Sequence, residues 1–153
     1  MDRTVKDLDI HRYMGTWYEI AHYPFKYQSD CEQGKAIYKW DDNEQKIKIK
    51  NECWAGGKMI RSRTANAWIP DKSDKGRLRI LFEGTPRDPE GSYLVHWTNY
   101  NDAVVGGSDG KSLWWISRKP TVRAKDVEPM LKRIRSFGYN TDNLISSKGI
   151  VTK

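Results

Sequence analysis

The chain has 153 residues and a formal net charge of +7, a length at which one domain buries a substantial core. Its basic residues are scattered among acids in segments such as KIKIKNE and RLRILFE. Because there is neither a basic stripe with presented aromatics nor a nucleic-acid-binding module, the composition argues against a nucleic-acid partner and for one globular domain over residues 1–153.

The N-terminal stretch MDRTVKDLDI alternates charged with isolated apolar residues and lacks the continuous apolar region of a signal peptide. No later segment approaches the length of a membrane span. We therefore expect the chain as given to be cytosolic or peripheral to a membrane. If a leader was removed before Met1, the expectation becomes periplasmic or secreted.

Alternation of apolar and polar residues, which is typical of half-buried strands, dominates the first 118 residues. Turn clusters rich in Gly, Pro, Asn or Asp separate the segments, and none is long enough to hold a crossover helix. Consecutive strands should therefore pair in antiparallel order. The eight predicted strands are Thr16–Tyr23, Lys35–Asp41, Lys46–Cys53, Met59–Ile69, Arg77–Glu83, Tyr93–Thr98, Ala103–Gly106 and Ser112–Arg118.

After the last of these strands the apolar spacing changes to that of a helix, at about residues 124–137. Asp126 is the expected N-terminal cap and Gly138 the expected C-terminal stop. The helix should pack on the outside of the sheet, and a short ninth strand is expected at about residues 143–147. The residues that set the helical spacing are Val127, Met130, Leu131 and Ile134.

Eight antiparallel strands in sequence order leave two open edges, and closing the sheet removes both. The predicted fold class is therefore all-β, an eight-stranded up-and-down antiparallel β-barrel over about residues 15–118 with one C-terminal α-helix outside. A barrel of this size is either filled by side chains or holds one small ligand.

The side chains on the predicted inner face differ between the two ends of the barrel. Indoles crowd one end, where Gly15 lets the chain cross closely beneath the barrel, and small or polar residues line the other. Glu19 also faces inward, with Arg118 or a ligand amine as its expected partner. The indoles placed at the closed end are Trp17, Trp40, Trp68 and Trp97.

A cavity open at the other end is therefore expected to have an apolar wall with a few polar groups. A register error of one residue would turn the polar members Thr64 and Asn66, and Asn51 with them, outward. The predicted ligand-binding residues are Ala21, Ala36, Tyr38, Ile49, Asn51, Thr64, Asn66, Ile80, Phe82, Tyr93, Val95 and Trp114.

Near the predicted mouth, four basic residues would favour anionic headgroups and peripheral contact with an anionic membrane, although simple solvation explains them equally well. Cys31 and Cys53 fall on adjacent antiparallel strands at this end. They form a disulfide if the compartment is oxidising and remain thiols if it is cytosolic. The basic residues are Lys26, Lys35, Lys58 and Arg87.

Three short motifs carry a family resemblance: GTWYEIA, which contains Gly15 and Trp17, then Thr98-Asn99-Tyr100, and then Arg118 in WWISRKP. With these motifs in order and the helix after them, the chain resembles a lipocalin from about Asp7 to Asn143. The resemblance is strongest to the branch of bacterial lipocalin, apolipoprotein D and the plant temperature-induced lipocalins. It implies that Arg118 packs over Trp17 as a structural pair. Asn99 departs from the usual Asp, which puts any ion pair there in doubt.

The resemblance implies a carrier of small hydrophobic molecules, with fatty acids or lysophospholipids expected first and retinoids or bilins after them. His11, His22 and His96 lack metal-ligand spacing, and no catalytic motif is present. We therefore expect no metal, no cofactor and no catalytic residue. The alternatives are a lipocalin-type enzyme acting on a lipid or isoprenoid, and a filled-barrel interaction protein with a basic docking face. A monomer and a homodimer are both compatible with the sequence.

Overall fold

The computed structural model describes residues 2–24, 30–82, 93–147 and 151–152, and the side chains of all but the last two. Lys26 and Arg87, two of the predicted basic residues at the mouth, lie outside this described part. In the described part of the chain, eight strands form the ring of the main sheet: β1 (Gly15–His22), β2 (Gln33–Asp41), β3 (Lys46–Ala55), β4 (Lys58–Trp68), β5 (Arg77–Phe82), β6 (Tyr93–Thr98), β7 (Asp102–Gly106) and β8 (Leu113–Ser117).

The sheet closes on itself. Each strand pairs antiparallel with the next, and β1 pairs with β8 through Tyr18 opposite Ser117 and Glu19 opposite Ile116. Closure leaves neither of these strands as a free edge. The predicted eight-stranded up-and-down barrel is confirmed, and every predicted strand overlaps an observed one.

A short helix, α1 (Ile10–Tyr13), precedes the barrel and was not predicted. Its N-cap is Asp9, whose carboxylate accepts hydrogen bonds from the backbone N–H groups of His11 and Arg12 at 3.2 Å. Tyr13 and Leu8 are buried in the apolar cluster inside the barrel. The N-terminal segment therefore covers the closed end.

The second helix, α2 (Ala124–Ser136), has almost the predicted bounds. The predicted cap is wrong, because Arg123 occupies the N-cap position and Asp126 lies in the first turn, where its carboxylate is 3.5 Å from Arg123 Nε. Gly138 follows the helix with φ +99°, and its N–H donates to the Arg135 carbonyl at 2.9 Å. Neither described helix is long and apolar enough to cross a membrane.

Short elements surround α2. Strand β9 (Val122–Arg123) pairs in parallel with β11 (Val151–Thr152), and a 3-10 helix covers Thr141–Asn143. Strand β10 (Ile145–Ser146) pairs with the end of β1, within the range predicted for a ninth strand. Helix α2 packs outside the barrel on a second apolar cluster of Ile20, Ala21, Val104, Leu113, Trp115, Ile134 and Tyr139.

Two bulges change which side chains face inward. In β1, the register against β8 shifts between Glu19 and Ala21, so that Ala21 lies in the outer cluster and His22 comes opposite the inner residue Trp114. The predicted inward position of Ala21 and outward position of His22 are therefore wrong. A similar shift between Val95 and Trp97 places Trp97 in the outer cluster.

In strand β4 the side chains that face inward are those predicted to face outward. Ala65 pairs with Ile49, and Ala67 pairs with Ile47, and all four side chains are buried in the inner cluster. Thr64, Asn66 and Trp68 therefore lie on the outer face, and Thr64 is exposed. On the inner face, small alanines of β4 lie beside larger isoleucines of β3, and this combination lets the side chains pack closely.

Candidate ligand-binding site

The inner wall of the barrel changes from sealed to open along its axis. At the end covered by α1, Trp17, Ala67 and Ala103 have no exposed surface, and Leu78 retains only 1%. Toward the other end, the inward-facing Asn51, Arg63, Phe82 and Trp114 are half-buried. We call these four residues the upper wall. Because they face the barrel interior, their partial exposure indicates that solvent enters from this end.

Nine of the twelve predicted wall residues lie on the inner face. Val95 and Ile49 belong to its tightly packed lower part, whereas Asn51, Phe82 and Trp114 belong to the upper wall. Ala21, Thr64 and Asn66 do not face the interior, for the reasons of register given above. The nine inner residues are Ala36, Tyr38, Ile49, Asn51, Ile80, Phe82, Tyr93, Val95 and Trp114.

Arg63 is the main feature of the upper wall that the sequence did not predict. It lies opposite Asn51 on the neighbouring strand, and its guanidinium carbon is 4.0 Å from the centre of the Phe82 ring. Stacking on a ring holds a guanidinium in place. The sequence does carry a signal for it, because the apolar run Ala65, Ala67, Ile69 puts Arg63 inward, but Trp68 at the closed end favours the opposite assignment.

Three tyrosines meet in the interior and form what we call the tyrosine cluster: Tyr13, Tyr38 and Tyr93. The Tyr93 hydroxyl is 2.6 Å from that of Tyr13 and 2.9 Å from that of Tyr38. Burial raises the pKa of all three hydroxyls above the ordinary tyrosine value, so they remain protonated at neutral pH. Tyr13 was missed because it precedes the first strand, where alternation carries no information.

Glu19 and His22 are the titratable groups that β1 contributes to the inner face. Glu19 is half-buried opposite Ile116, and its negative charge adds to burial in raising the pKa of Tyr38. His22 is buried, and its Nδ1 lies 2.7 Å from the Tyr23 carbonyl oxygen. The interior therefore has an acidic group on one side and the guanidinium of Arg63 on another.

A disulfide marks the rim of the open end. Cys31, just before β2, is joined to the buried Cys53 of β3, which resolves the two alternatives left by the sequence. Arg61 pairs with Asp30 beside it, and Arg61 Nη2 is 3.6 Å from the Cys53 sulfur. The bridge thus fastens the connection that leaves β1 to the strand that carries Asn51.

Arg118 and Trp17 occupy the closed end in the predicted arrangement. The Arg118 guanidinium carbon is 3.8 Å from the centre of the Trp17 ring, and a Cβ on Gly15 would come within 3.3 Å of Arg118 Nη1. The guanidinium donates to the carbonyls of Tyr100, Thr16 and Arg12. These three hydrogen bonds tie the guanidinium to the main chain of the closed end.

The motif Thr98-Asn99-Tyr100 builds the turn that presents one of those carbonyls. The Thr98 hydroxyl donates to the Asp102 carbonyl and accepts from the Tyr100 N–H. Asn99 Oδ1 accepts from the N–H groups of Asn101 and Asp102 at 3.0 and 2.8 Å. Since an amide oxygen accepts both bonds, the turn does not require a carboxylate at residue 99.

Lys35, predicted near the mouth, lies on the outside of the barrel. Its Nζ is 5.6 Å from the centre of the Tyr18 ring and 5.7 Å from that of Trp54. These residues line an outer groove of about 550 Å³ together with Glu32 and Gln33. Lys35 therefore belongs to the outer surface rather than to the interior.

Comparisons with known proteins agree with this architecture. A family model described as a lipocalin-like domain matches residues 8–149. Temperature-induced lipocalin-1 of Arabidopsis thaliana is 29% identical over 92% of this chain and 78% of that protein. Outer membrane lipoprotein Blc of Vibrio cholerae is 28% identical over 94% of this chain and 84% of that protein. Among solved structures, insecticyanin from the tobacco hornworm Manduca sexta aligns with a TM-score of 0.75 and 22% identity, over 95% of this chain and 83% of that one.

Proposed function

The chain belongs to the lipocalin family, and from that premise we propose that it binds a fatty acid or a lysophospholipid in the open half of its barrel. The fold and the lipocalin relatives support binding of a small hydrophobic ligand. The choice of an anionic or phosphate-bearing lipid rests on one observation, which is the inward-facing guanidinium of Arg63 on the upper wall beside Asn51.

In this proposal the wall and the guanidinium have different roles. Each methylene buried against Phe82, Trp114 and their neighbours contributes ~0.8 kcal/mol before association costs are subtracted. A charge-assisted hydrogen bond from Arg63 to a carboxylate or phosphate adds ~1.5 to 3 kcal/mol. The acyl chain therefore supplies most of the affinity, and the basic group sets the orientation of the ligand.

Titration with palmitic acid and with lysophosphatidylcholine tests the proposal, because Trp114 lies on the upper wall and reports occupancy by its fluorescence. We expect saturable quenching at one ligand per chain, and native mass spectrometry should show the same stoichiometry. Recovery of the lipid chemically unchanged would favour a carrier over an enzyme. Unchanged emission and no mass adduct across both lipid classes would instead favour a filled barrel.

Contact with an anionic membrane is part of the same proposal. The hairpin between β3 and β4 stands at the open end, where Met59 is 43% exposed and Ile60 is 39% exposed, next to the exposed Lys58. Exposed aliphatic side chains beside a cation fit the interface of a bilayer with anionic lipids. A lipid entering or leaving the barrel at this end would then pass directly between membrane and cavity.

A further inference from the structure

The hydrogen-bonding capacity of the tyrosine cluster is not used up within the described part of the chain. Three hydroxyl groups offer three hydrogens, and the two contacts that Tyr93 makes with Tyr13 and Tyr38 use two of them. Whichever direction these bonds take, one hydroxyl hydrogen of the cluster has no acceptor among the described residues. A buried donor without a partner costs free energy, so an acceptor is expected to reach it.

The cluster lies where a ligand in the open half would end. Tyr38 is 7% exposed and Tyr93 is 9% exposed, and both face the interior, whereas Tyr13 below them retains 1%. Tyr38 is at the level of Ile49 and Ala65 in the strand pairing. Arg63 stands two residues nearer the mouth than Ala65, which is about 7 Å along a strand. The hydroxyls therefore lie deeper than the proposed position of the lipid headgroup.

The charges around the cluster select the kind of acceptor. Two charged groups act on Tyr38, the Glu19 carboxylate more strongly than the Arg118 guanidinium. The larger effect is that of the negative charge, so a second carboxylate at this depth would be repelled. A hydroxyl, carbonyl or ether oxygen can accept the hydrogen bond without that repulsion. An unsubstituted acyl chain would leave the donor unpaired.

We propose that the tyrosine cluster is a deep subsite for a neutral oxygen on the ligand, so that the preferred lipid is an acyl chain with a hydroxyl, oxo or ether group along its length. This inference rests on the proposed function, because it takes the anionic or phosphate headgroup to lie at Arg63. It adds a second point of recognition to the site. The ligand class is then oxygenated fatty acids and the lysophospholipids that carry them as acyl chains.

The test compares stearic acid with a positional series of monohydroxystearic acids by fluorescence titration and calorimetry. We expect at least one hydroxylated acid to bind the wild-type protein roughly 3- to 10-fold more tightly than stearic acid, the range of one net hydrogen bond. The variant Tyr13→Phe/Tyr38→Phe/Tyr93→Phe should bind both kinds of acid with equal affinity. Removing all three hydroxyls together leaves no donor without a partner, so the triple variant should fold.

Tyr18→Phe is the matched control, because Tyr18 lies on the outer face of β1 and its loss should leave the preference unchanged. Equal affinities of stearic and hydroxystearic acids for the wild-type protein would overturn this inference alone. A preference that survives in the triple variant would also overturn it. No binding of any of these acids would contradict the proposed function, and this inference with it.

Discussion

Arg63 is the residue on which the orientation of the ligand depends. Replacing it by Met in Arg63→Met keeps an unbranched side chain over Phe82 but removes the charge. We expect affinity for palmitic acid to fall about tenfold, the lower end of the range for a charge-assisted hydrogen bond, because this wall is accessible to water. Affinity for methyl palmitate, which carries no charge, should not change.

Arg79→Met is the control for this prediction, since Arg79 lies on β5 opposite the outward-facing Trp68. It should bind palmitic acid as the wild-type protein does. If Arg63→Met weakened the ester as much as the acid, the role of Arg63 would be packing on Phe82 rather than recognition of charge.

Gly106 shows how a single residue determines packing outside the barrel. A Cβ at this position would lie 2.0 Å from the Tyr139 hydroxyl and 2.7 Å from His96 Nε2, two atoms that are hydrogen-bonded to each other at 2.5 Å. Gly106→Ala should therefore lower the free energy of unfolding by about 1 to 3 kcal/mol, as overpacking does. Urea denaturation measures this change.

The variant Tyr139→Phe distinguishes this steric cause from a general loss of stability. Without the hydroxyl, the nearest atom to the new methyl group is gone, so Gly106→Ala should cost less in the Tyr139→Phe background than in the wild-type protein. Equal costs in the two backgrounds would show that the contact with Tyr139 does not limit this position.

At the scale of elements, the disulfide links the connection before β2 to β3. Cys31 and Cys53 are 22 positions apart, and closing a loop of that length contributes about 3 kcal/mol in the chain-entropy model. Reduction with dithiothreitol should therefore lower the unfolding free energy in urea by about that amount. Cys31→Ala/Cys53→Ala should match the reduced protein and should not respond to dithiothreitol. Identical urea midpoints for the oxidised and reduced protein would contradict this prediction.

The strands also show why the candidate site was only partly predictable. Alternation identified each strand, but it assumes an unbroken period of two, and the bulge in β1 moved Ala21 outward and His22 inward. In β4 the run Ala65, Ala67, Ile69 competes with Trp68, which lies in the other set of alternating residues, and the pairing of Ala65 with Ile49 shows that the alanines face inward. A prediction that gives Trp68 the greater weight therefore puts Thr64 and Asn66 inside and Arg63 outside, and only the strand pairing corrects it.

For the whole molecule, the closure of the sheet and the depth of the cavity have different origins. The order of eight strands follows from short turns, which force consecutive strands to pair, and the remaining edges then pair with each other as β1 and β8. The depth of the cavity instead depends on Tyr13, which reaches up from α1 to Tyr93. That contact joins residues 80 positions apart, and no local pattern predicts it.

The open end of the barrel is the face of the molecule that we expect to contact a membrane. If the open end contacts an anionic bilayer, Met59→Ser/Ile60→Ser should reduce sedimentation with vesicles of phosphatidylcholine and phosphatidylglycerol, because it removes exposed aliphatic area that would enter the bilayer. Lys58→Glu should reduce it as well, because it replaces a cation by an anion. Lys72→Glu makes the same change of charge in the loop between β4 and β5, at the closed end, and should bind as the wild-type protein does. The effect of Lys58→Glu should shrink as salt is added, since exposed charges are screened. Equal losses for Lys58→Glu and Lys72→Glu would mean that net charge alone attracts the protein, with no preferred face.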